Sequence, residues 1–98
     1  MVGDSNDVSG GKNNVFGHQN VVTKGDANIV DGIQNSIKNG SENFILGAQN
    51  NVTDGKSNYV EGSQNDVTKD QNKVQGDNNK VRGEINTLEG SKTSLTGN

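Results

Sequence analysis

A seven-residue repeat limits what this chain can fold into more than any other feature. Residues 40–54, GSENFILGAQNNVTD, contain the pattern Gly-x-x-Asn-x-(Val/Ile)-x twice, followed by one extra residue. The pattern then accounts for nearly the whole chain, because thirteen heptads begin at residues 3, 10, 17, 25, 32, 40, 47, 55, 62, 69, 76, 83 and 90. Lys69 is the only heptad start that is not Gly, and Thr93 is the only exception at the Asn position. The aliphatic position has no exception, so the repeat predicts a repetitive architecture.

The alternation within each heptad predicts β-strands. In an extended segment residues i and i+2 share a face, so the Asn and the aliphatic residue of a heptad point the same way. Because these two columns are fixed, they form the interior, and the variable positions beside the aliphatic residue face solvent. Gly is expected at the corners, where positive φ or close backbone approach is needed. Apolar residues spaced seven apart build no helical stripe.

A second period shows how many heptads make one turn. The extra residues Lys24, Asn39 and Asp54 are fifteen apart, and Gln precedes Asn in alternate heptads. Odd and even heptads are therefore two sides of one object, and one turn takes two heptads. The predicted coils are 10–24, 25–39, 40–54, 55–68, 69–82 and 83–96, with 3–9 as a leading half-coil. From residue 69 the extra residue disappears and the turns shorten to fourteen.

These observations predict an all-β fold, a single parallel β-solenoid domain over residues 3–96, with two short strands in each coil of 14–15 residues. Only 26% of the residues are hydrophobic, a content that without the repeat would suggest disorder. Stacked Asn side chains pair each with the next, which compensates for the small core of Val and Ile. The strands are predicted near 12–16, 19–23, 27–31, 34–38, 43–46, 50–53, 58–61, 65–68, 72–75, 79–82 and 86–89.

The sequence offers little for catalysis or for charged ligands. The net charge is −3 with both signs mixed along the chain, and no apolar run reaches the length of a membrane span. There is no Cys and one His, His18, at a corner position. Calcium-binding nonapeptide rolls need a nine-residue period and a fixed Asp, whereas this period is seven and its fixed polar residue is neutral. We therefore expect no enzymatic activity, no metal, no cofactor, and neither nucleic acid nor membrane as a partner.

The two outer surfaces remain as candidate functional sites. One carries a column of short hydroxyl residues, interrupted by Lys38 and Arg82; these are Ser9, Thr23, Thr53, Thr68 and Thr96. The other carries an apolar and aromatic patch, made of Phe16, Ile29, Phe44, Leu46 and Tyr59. Exposed β-strands favour Thr in any case, while five large apolar side chains on neighbouring coils favour a contact surface.

At this point the chain resembles the repeat of grass ice-recrystallisation-inhibition proteins, the ryegrass-type antifreeze repeat. The segments that carry the resemblance include GHQNVVT, GAQNNVT, GSQNDVT and GDNNKVR, and it covers residues 3–96. The resemblance implies a left-handed β-roll with inward Asn ladders. It also implies a secreted plant protein of the apoplast that adsorbs to ice through one flat face of Thr, Ser and Val. The β-roll heads of trimeric autotransporter adhesins are a looser likeness, since they favour Ala and Ser inside.

On this basis we expect ice binding, as weak inhibition of ice recrystallisation. The residues assigned to the ice face are Val21, Thr23, Ser36, Asn51, Thr53, Thr68, Ser94 and Thr96. The chain departs from the family at Lys38, Asp66, Lys80 and Arg82, where charges replace the expected small residues on this face. The alternative is a structural or adhesion module that self-associates or binds a partner through the aromatic patch. Two N-glycosylation sequons, at Asn39 and Asn51, agree with secretion.

Overall fold

The fold is a two-sided parallel β-solenoid of about six turns, as the sequence predicts. A computed structural model describes residues 3 and 5–97. It measures 33 × 20 × 12 Å, and strands are the only regular elements of the described residues. The seven-stranded sheet, called the even sheet, stacks β1 (Asp7–Val8), β3 (Val21–Thr23), β5 (Ser36–Lys38), β7 (Asn51–Thr53), β9 (Asp66–Thr68), β11 (Lys80–Arg82) and β13 (Ser94–Thr96). The six-stranded odd sheet stacks β2 (Asn14–His18), β4 (Ile29–Ile33), β6 (Phe44–Ala48), β8 (Tyr59–Ser63), β10 (Lys73–Asp77) and β12 (Thr87–Ser91).

The register is constant along the stack, so each heptad position forms a straight column. Val15 pairs with Val30, Val30 with Ile45 and so on through the odd sheet, and Val22 begins the matching column of the even sheet. The ten aliphatic side chains of the central coils are 0–1% exposed. Val8 and Leu88 pack against this core near its ends and are only partly buried. The predicted aliphatic interior is confirmed.

The predicted strand bounds are wrong in a systematic way. Each strand of the odd sheet is five residues long and begins one to two residues later than predicted. It also ends later, because the extended conformation continues through the Gly. Each complete strand of the even sheet has only three residues. Strands β1 and β13 at the two ends were not predicted at all. The cause is that the fixed columns of odd and even heptads are identical, whereas the positions that decide where a strand ends are variable.

The interior Asn residues form the two predicted ladders. Nδ2 of Asn50 donates to Oδ1 of Asn35 in the preceding coil at 3.1 Å, and the backbone N–H of Asn50 donates to the same oxygen at 3.0 Å. The second hydrogen of Nδ2 reaches the carbonyl of Gly62 in the following coil at 2.8 Å. Every buried side-chain nitrogen and oxygen among the described residues has a hydrogen-bond partner. The ladders therefore connect each coil to both of its neighbours without leaving an amide unpaired.

The corners turn through non-glycine residues as well as through Gly, which corrects the sequence prediction. The residue before each ladder Asn has positive φ, as Gln49 does at 58°. Gly47 lies inside β6 with φ 127°, and a Cβ there would come within 1.8 Å of the Gly62 carbonyl oxygen. At Gly47 the prediction of close backbone approach is therefore right, although the Gly lies within a strand rather than at the corner itself.

The extra residues of the longer coils are accommodated by the same conformation. Lys24, Asn39 and Asp54 have φ of 53–56°, and the Gly after each of them is not among the residues of positive φ. Lys69 directly follows the first fourteen-residue coil, 55–68, and takes positive φ itself, at 86°. In the fifteen-residue coils the extra residue therefore takes the positive φ, one position before the Gly. The ladders remain in register.

Candidate functional site

The described residues offer no concave site. No pocket opens on this part of the chain, and no three of its His, Asp and Glu residues come close enough to hold a metal ion. His18 is exposed at the end of β2, on the odd sheet. None of the described residues belongs to an apolar helix of membrane-spanning length. The candidate sites are therefore the outer surfaces of the two sheets, here called the even face and the odd face.

The even face carries two straight rows of outward side chains. The first row contains, in coil order, Asp7, Val21, Ser36, Asn51, Asp66, Lys80 and Ser94. The second row contains Thr23, Lys38, Thr53, Thr68, Arg82 and Thr96. Because the pairing is parallel and in register, neighbours in a row are separated by one strand spacing, about 4.8 Å.

All eight residues assigned to an ice face lie on the even face, although not in one unbroken group. Val21, Ser36 and Asn51 are consecutive in the first row. Thr53 and Thr68 are consecutive in the second row. With Thr23, which lies beside Val21 on β3, these five form a continuous neutral area across four coils, in which Val21 is 37% exposed.

Charged residues interrupt the second row and separate the last two members, Ser94 and Thr96, from this area. Lys38 lies between Thr23 and Thr53 in the second row. Lys80 and Arg82 form the strand that separates Ser94 and Thr96 from the rest. The C-terminal part of the even face is thus cut off by two adjacent cations.

The odd face carries three rows of outward side chains, one more than the sequence analysis assigned. The rows begin at Asn14, Phe16 and His18. The first contains Ile29, Phe44 and Tyr59 in consecutive coils, with the Phe44 and Tyr59 rings stacked at 5.2 Å between centroids and 2° between planes. All five predicted patch residues lie on this face.

The third row adds two apolar residues that the sequence analysis missed. Ile33, 48% exposed, pairs with Ala48, and both directly follow a Gly. The sequence analysis places each Gly at the corner and therefore assigns the residue after it to no strand. The sequence signal for this row is Ile33 directly after Gly32, because a β-branched apolar residue favours an extended strand over a solvated turn.

Carboxylates interrupt the apolar patch in the middle row. Asp31 lies between Phe16 and Leu46, and Glu61 follows Leu46. The Tyr59 hydroxyl donates to Oε2 of Glu61 at 2.9 Å. This hydrogen bond, together with partial desolvation and the charge of Glu61, raises the pKa of Tyr59. The Tyr59 hydroxyl is therefore neutral at physiological pH and can act as the donor in this hydrogen bond.

Comparison with known proteins identifies the architecture and its family. The sequence model of a family described as grass antifreeze beta roll matches residues 1–97. A search of curated proteins found no match. The family description names antifreeze proteins, a non-enzymatic kind of protein, and so supports ice binding in general. With the repeat, the Asn ladders and the match all extending over nearly the whole chain, this protein belongs to the grass antifreeze beta-roll family.

Proposed function

We propose that the protein inhibits ice recrystallisation by adsorbing to ice through the even face. Family membership supports ice binding, and the register of the even sheet supports this face. The observation that carries the proposal is the continuous neutral area of Val21, Thr23, Ser36, Asn51, Thr53 and Thr68. We further propose that the protein acts outside the cell, in the apoplast, where ice grows.

The chemistry of this area suits contact with a regular solid surface. Thr and Val are stiff at χ1, so little conformational entropy is lost when their rows meet ice. The Thr methyl group orders neighbouring water without binding it tightly, and the hydroxyl can join the ordered layer. The strand spacing of about 4.8 Å is near a repeat of the ice lattice, so one side chain per coil makes a regular row.

The charged residues of the even face limit the expected strength. An ammonium group such as that of Lys38 is compact and strongly hydrated, so it resists removal of its water. Lys80 acts in the same way on the strand before Ser94, and Arg82 adds a second positive charge to that strand. We therefore propose slowed growth of ice grains with little depression of the freezing point.

A frozen-splat assay at micromolar protein tests the proposal. The wild type should slow the growth of ice grains, and Thr53→Lys should remove most of that effect because it places a cation inside the neutral area. The matched control is Gln75→Lys, which adds the same side chain to the odd face, on β10. Unchanged grain growth with the wild type rejects the function, whereas equal loss in both variants rejects the even face.

A second candidate function follows from the odd face. Its apolar patch is larger than the sequence indicated, since the third row adds Ile33 to a face on which Phe16 is 44% exposed. A patch of this kind is typical of contact surfaces. If the protein is an adhesion or structural module, it should self-associate through the patch, and Phe44→Ser should shift its sedimentation toward the monomer. A monomeric profile that Phe44→Ser leaves unchanged counts against this candidate.

A further inference from the structure

A third regular row runs along one edge of the even face. It consists of four Gln residues at equivalent corners of successive coils, Gln19, Gln34, Gln49 and Gln64. From Gln34 onward, each Nε2 donates to Oε1 of the Gln in the preceding coil at 3.2 Å. All four residues are exposed, and their φ values lie between 57° and 59°. The row is therefore a surface ladder of amides with one repeated conformation.

The Gln row borders the first row of the even face. Each Gln is followed by a buried ladder Asn and then by a first-row residue, as in Gln49, Asn50 and Asn51. Because the coils are in register, the Gln row and the first row run parallel along the stack. The Gln row therefore lies along the edge of the even face, at the corner that joins this face to the third row of the odd face.

The two edges of the even face differ in charge. The opposite edge carries the extra residues and their successor, Lys24, Asn39, Asp54 and Lys69. The first and second rows also contain charges over the same coils, Asp66 and Lys38 respectively. Of these four rows, the Gln row is the one that contains no charged residue from its first coil to its fourth.

The Gln row also ends where two cations on one strand, Lys80 and Arg82, cross the even face. The next two corners of this edge carry Asn78 and Lys92 in place of Gln. In the first of these two coils the even face presents Lys80 and Arg82, and in the second it presents Ser94 and Thr96. The neutral area and the Gln row therefore occupy the same four coils.

We infer that the Gln row is a third row of the ice-contact surface, and this inference rests on the proposed function. Each amide has two donor hydrogens and an acceptor oxygen, which match the hydrogen bonds of water without a full charge. A free Gln side chain loses roughly 1.5–2 kcal/mol of rotamer entropy on being fixed. The ladder fixes the amides in advance, so this cost falls on folding rather than on ice binding.

The test compares Gln49→Glu with Ser57→Glu. Both residues precede a ladder Asn, both are exposed and both have φ of 58°, but Ser57 lies at the corner on the other side of the coil. Gln49→Glu is nearly isosteric, breaks the amide pairing to Gln34 and places a charge in the row. We expect it to raise the protein concentration needed to inhibit recrystallisation severalfold, whereas Ser57→Glu leaves that concentration unchanged.

Thermal unfolding of both variants separates a contact role from a structural one. If Gln49→Glu lowers Tm but retains full inhibition, the row only stabilises the fold and the inference is overturned. Thr53→Lys is measured in parallel to keep the two proposals distinct. Activity lost in Thr53→Lys and kept in Gln49→Glu overturns the third row alone. Activity kept in Thr53→Lys rejects the even face, and with it the Gln row as part of that face.

Discussion

Buried Asn amides, as well as aliphatic side chains, hold the interior of this protein together. Asn50 illustrates the reason, because its Nδ2 donates to Oδ1 of Asn35 and to the carbonyl of Gly62. Its own Oδ1 accepts both the backbone N–H and the side-chain amide of Asn65, each at 3.1 Å. One side chain thus satisfies buried groups in the coil before and the coil after its own.

We therefore expect Asn50→Ala to destabilise the protein at least as much as Val52→Ala. The first change leaves the buried donors of Asn65 and the carbonyl of Gly62 without their partner, at a cost of about 2–4 kcal/mol. The second removes two methyl groups from the core and costs about 2–3 kcal/mol. Chemical denaturation of the two variants beside the wild type gives both values. An Asn50→Ala variant within about 0.5 kcal/mol of the wild type would show that the ladders do not stabilise the fold.

Substitution of the corner residue Lys69 by Gly should, in contrast, stabilise the protein. Lys69 holds φ at 86°, a conformation that costs an ordinary residue roughly 1–2 kcal/mol and Gly almost nothing. Its contact with the ladder uses the backbone carbonyl, which accepts from Nδ2 of Asn58 at 2.8 Å and survives substitution. Lys69→Gly should therefore raise the free energy of unfolding by about 1 kcal/mol.

The matched control for this gain is Lys73→Gly. Lys73 is exposed in the extended strand β10, where Gly only adds freedom to the unfolded chain, so this variant should lose about 0.5–1 kcal/mol. Thermal melts followed by circular dichroism measure both changes. A lower Tm for Lys69→Gly would mean that the positive φ of Lys69 carries no strain.

At the level of strands and coils, the sequence predicts what repeats and misses what differs between the two sheets. The Asn and Val columns, the coil lengths and the even-face rows follow from fixed heptad positions. Strand length does not, because it depends on whether the chain stays extended beyond its Gly, as it does at Gly32. Ile33 was missed for that reason. The Gln residues mark the two-heptad period in the sequence, but sequence alone does not show that their amides pair along the surface.

The coil, and not the heptad, should be the unit that can be removed. Deleting residues 40–54 brings Asn35 onto Asn65 and keeps odd strands above odd strands. Since each coil contacts only its neighbours, the shortened chain should keep its β-type circular dichroism and melt cooperatively, at a modestly lower temperature. Deleting residues 40–46 should be far more disruptive, because it stacks the three-residue strand β7 on the five-residue strand β4. Equal stability of the two deletions would contradict the distinction between the sheets.

For the whole molecule, the length of its uninterrupted rows matters more than the number of suitable side chains. The solenoid extends 33 Å along its longest dimension, yet Thr53 and Thr68 are the only consecutive pair among the threonines of the second row. Lys38 separates this pair from Thr23. A rigid surface gains from each further row member in register, because no additional ordering is needed to bring it to the ice.

Lys38→Thr should therefore increase inhibition of ice recrystallisation by more than the addition of a single isolated Thr would. It makes the second row continuous from Thr23 to Thr68, a span of about 14 Å at the strand spacing. It also removes the tightly hydrated cation from beside the neutral area. The frozen-splat assay should show inhibition at a severalfold lower protein concentration.

Lys73→Thr makes the same chemical change on the odd face and should leave the concentration unchanged. An equal gain in both variants would indicate an effect of net charge alone, and no gain from Lys38→Thr would mean that ice does not contact the second row.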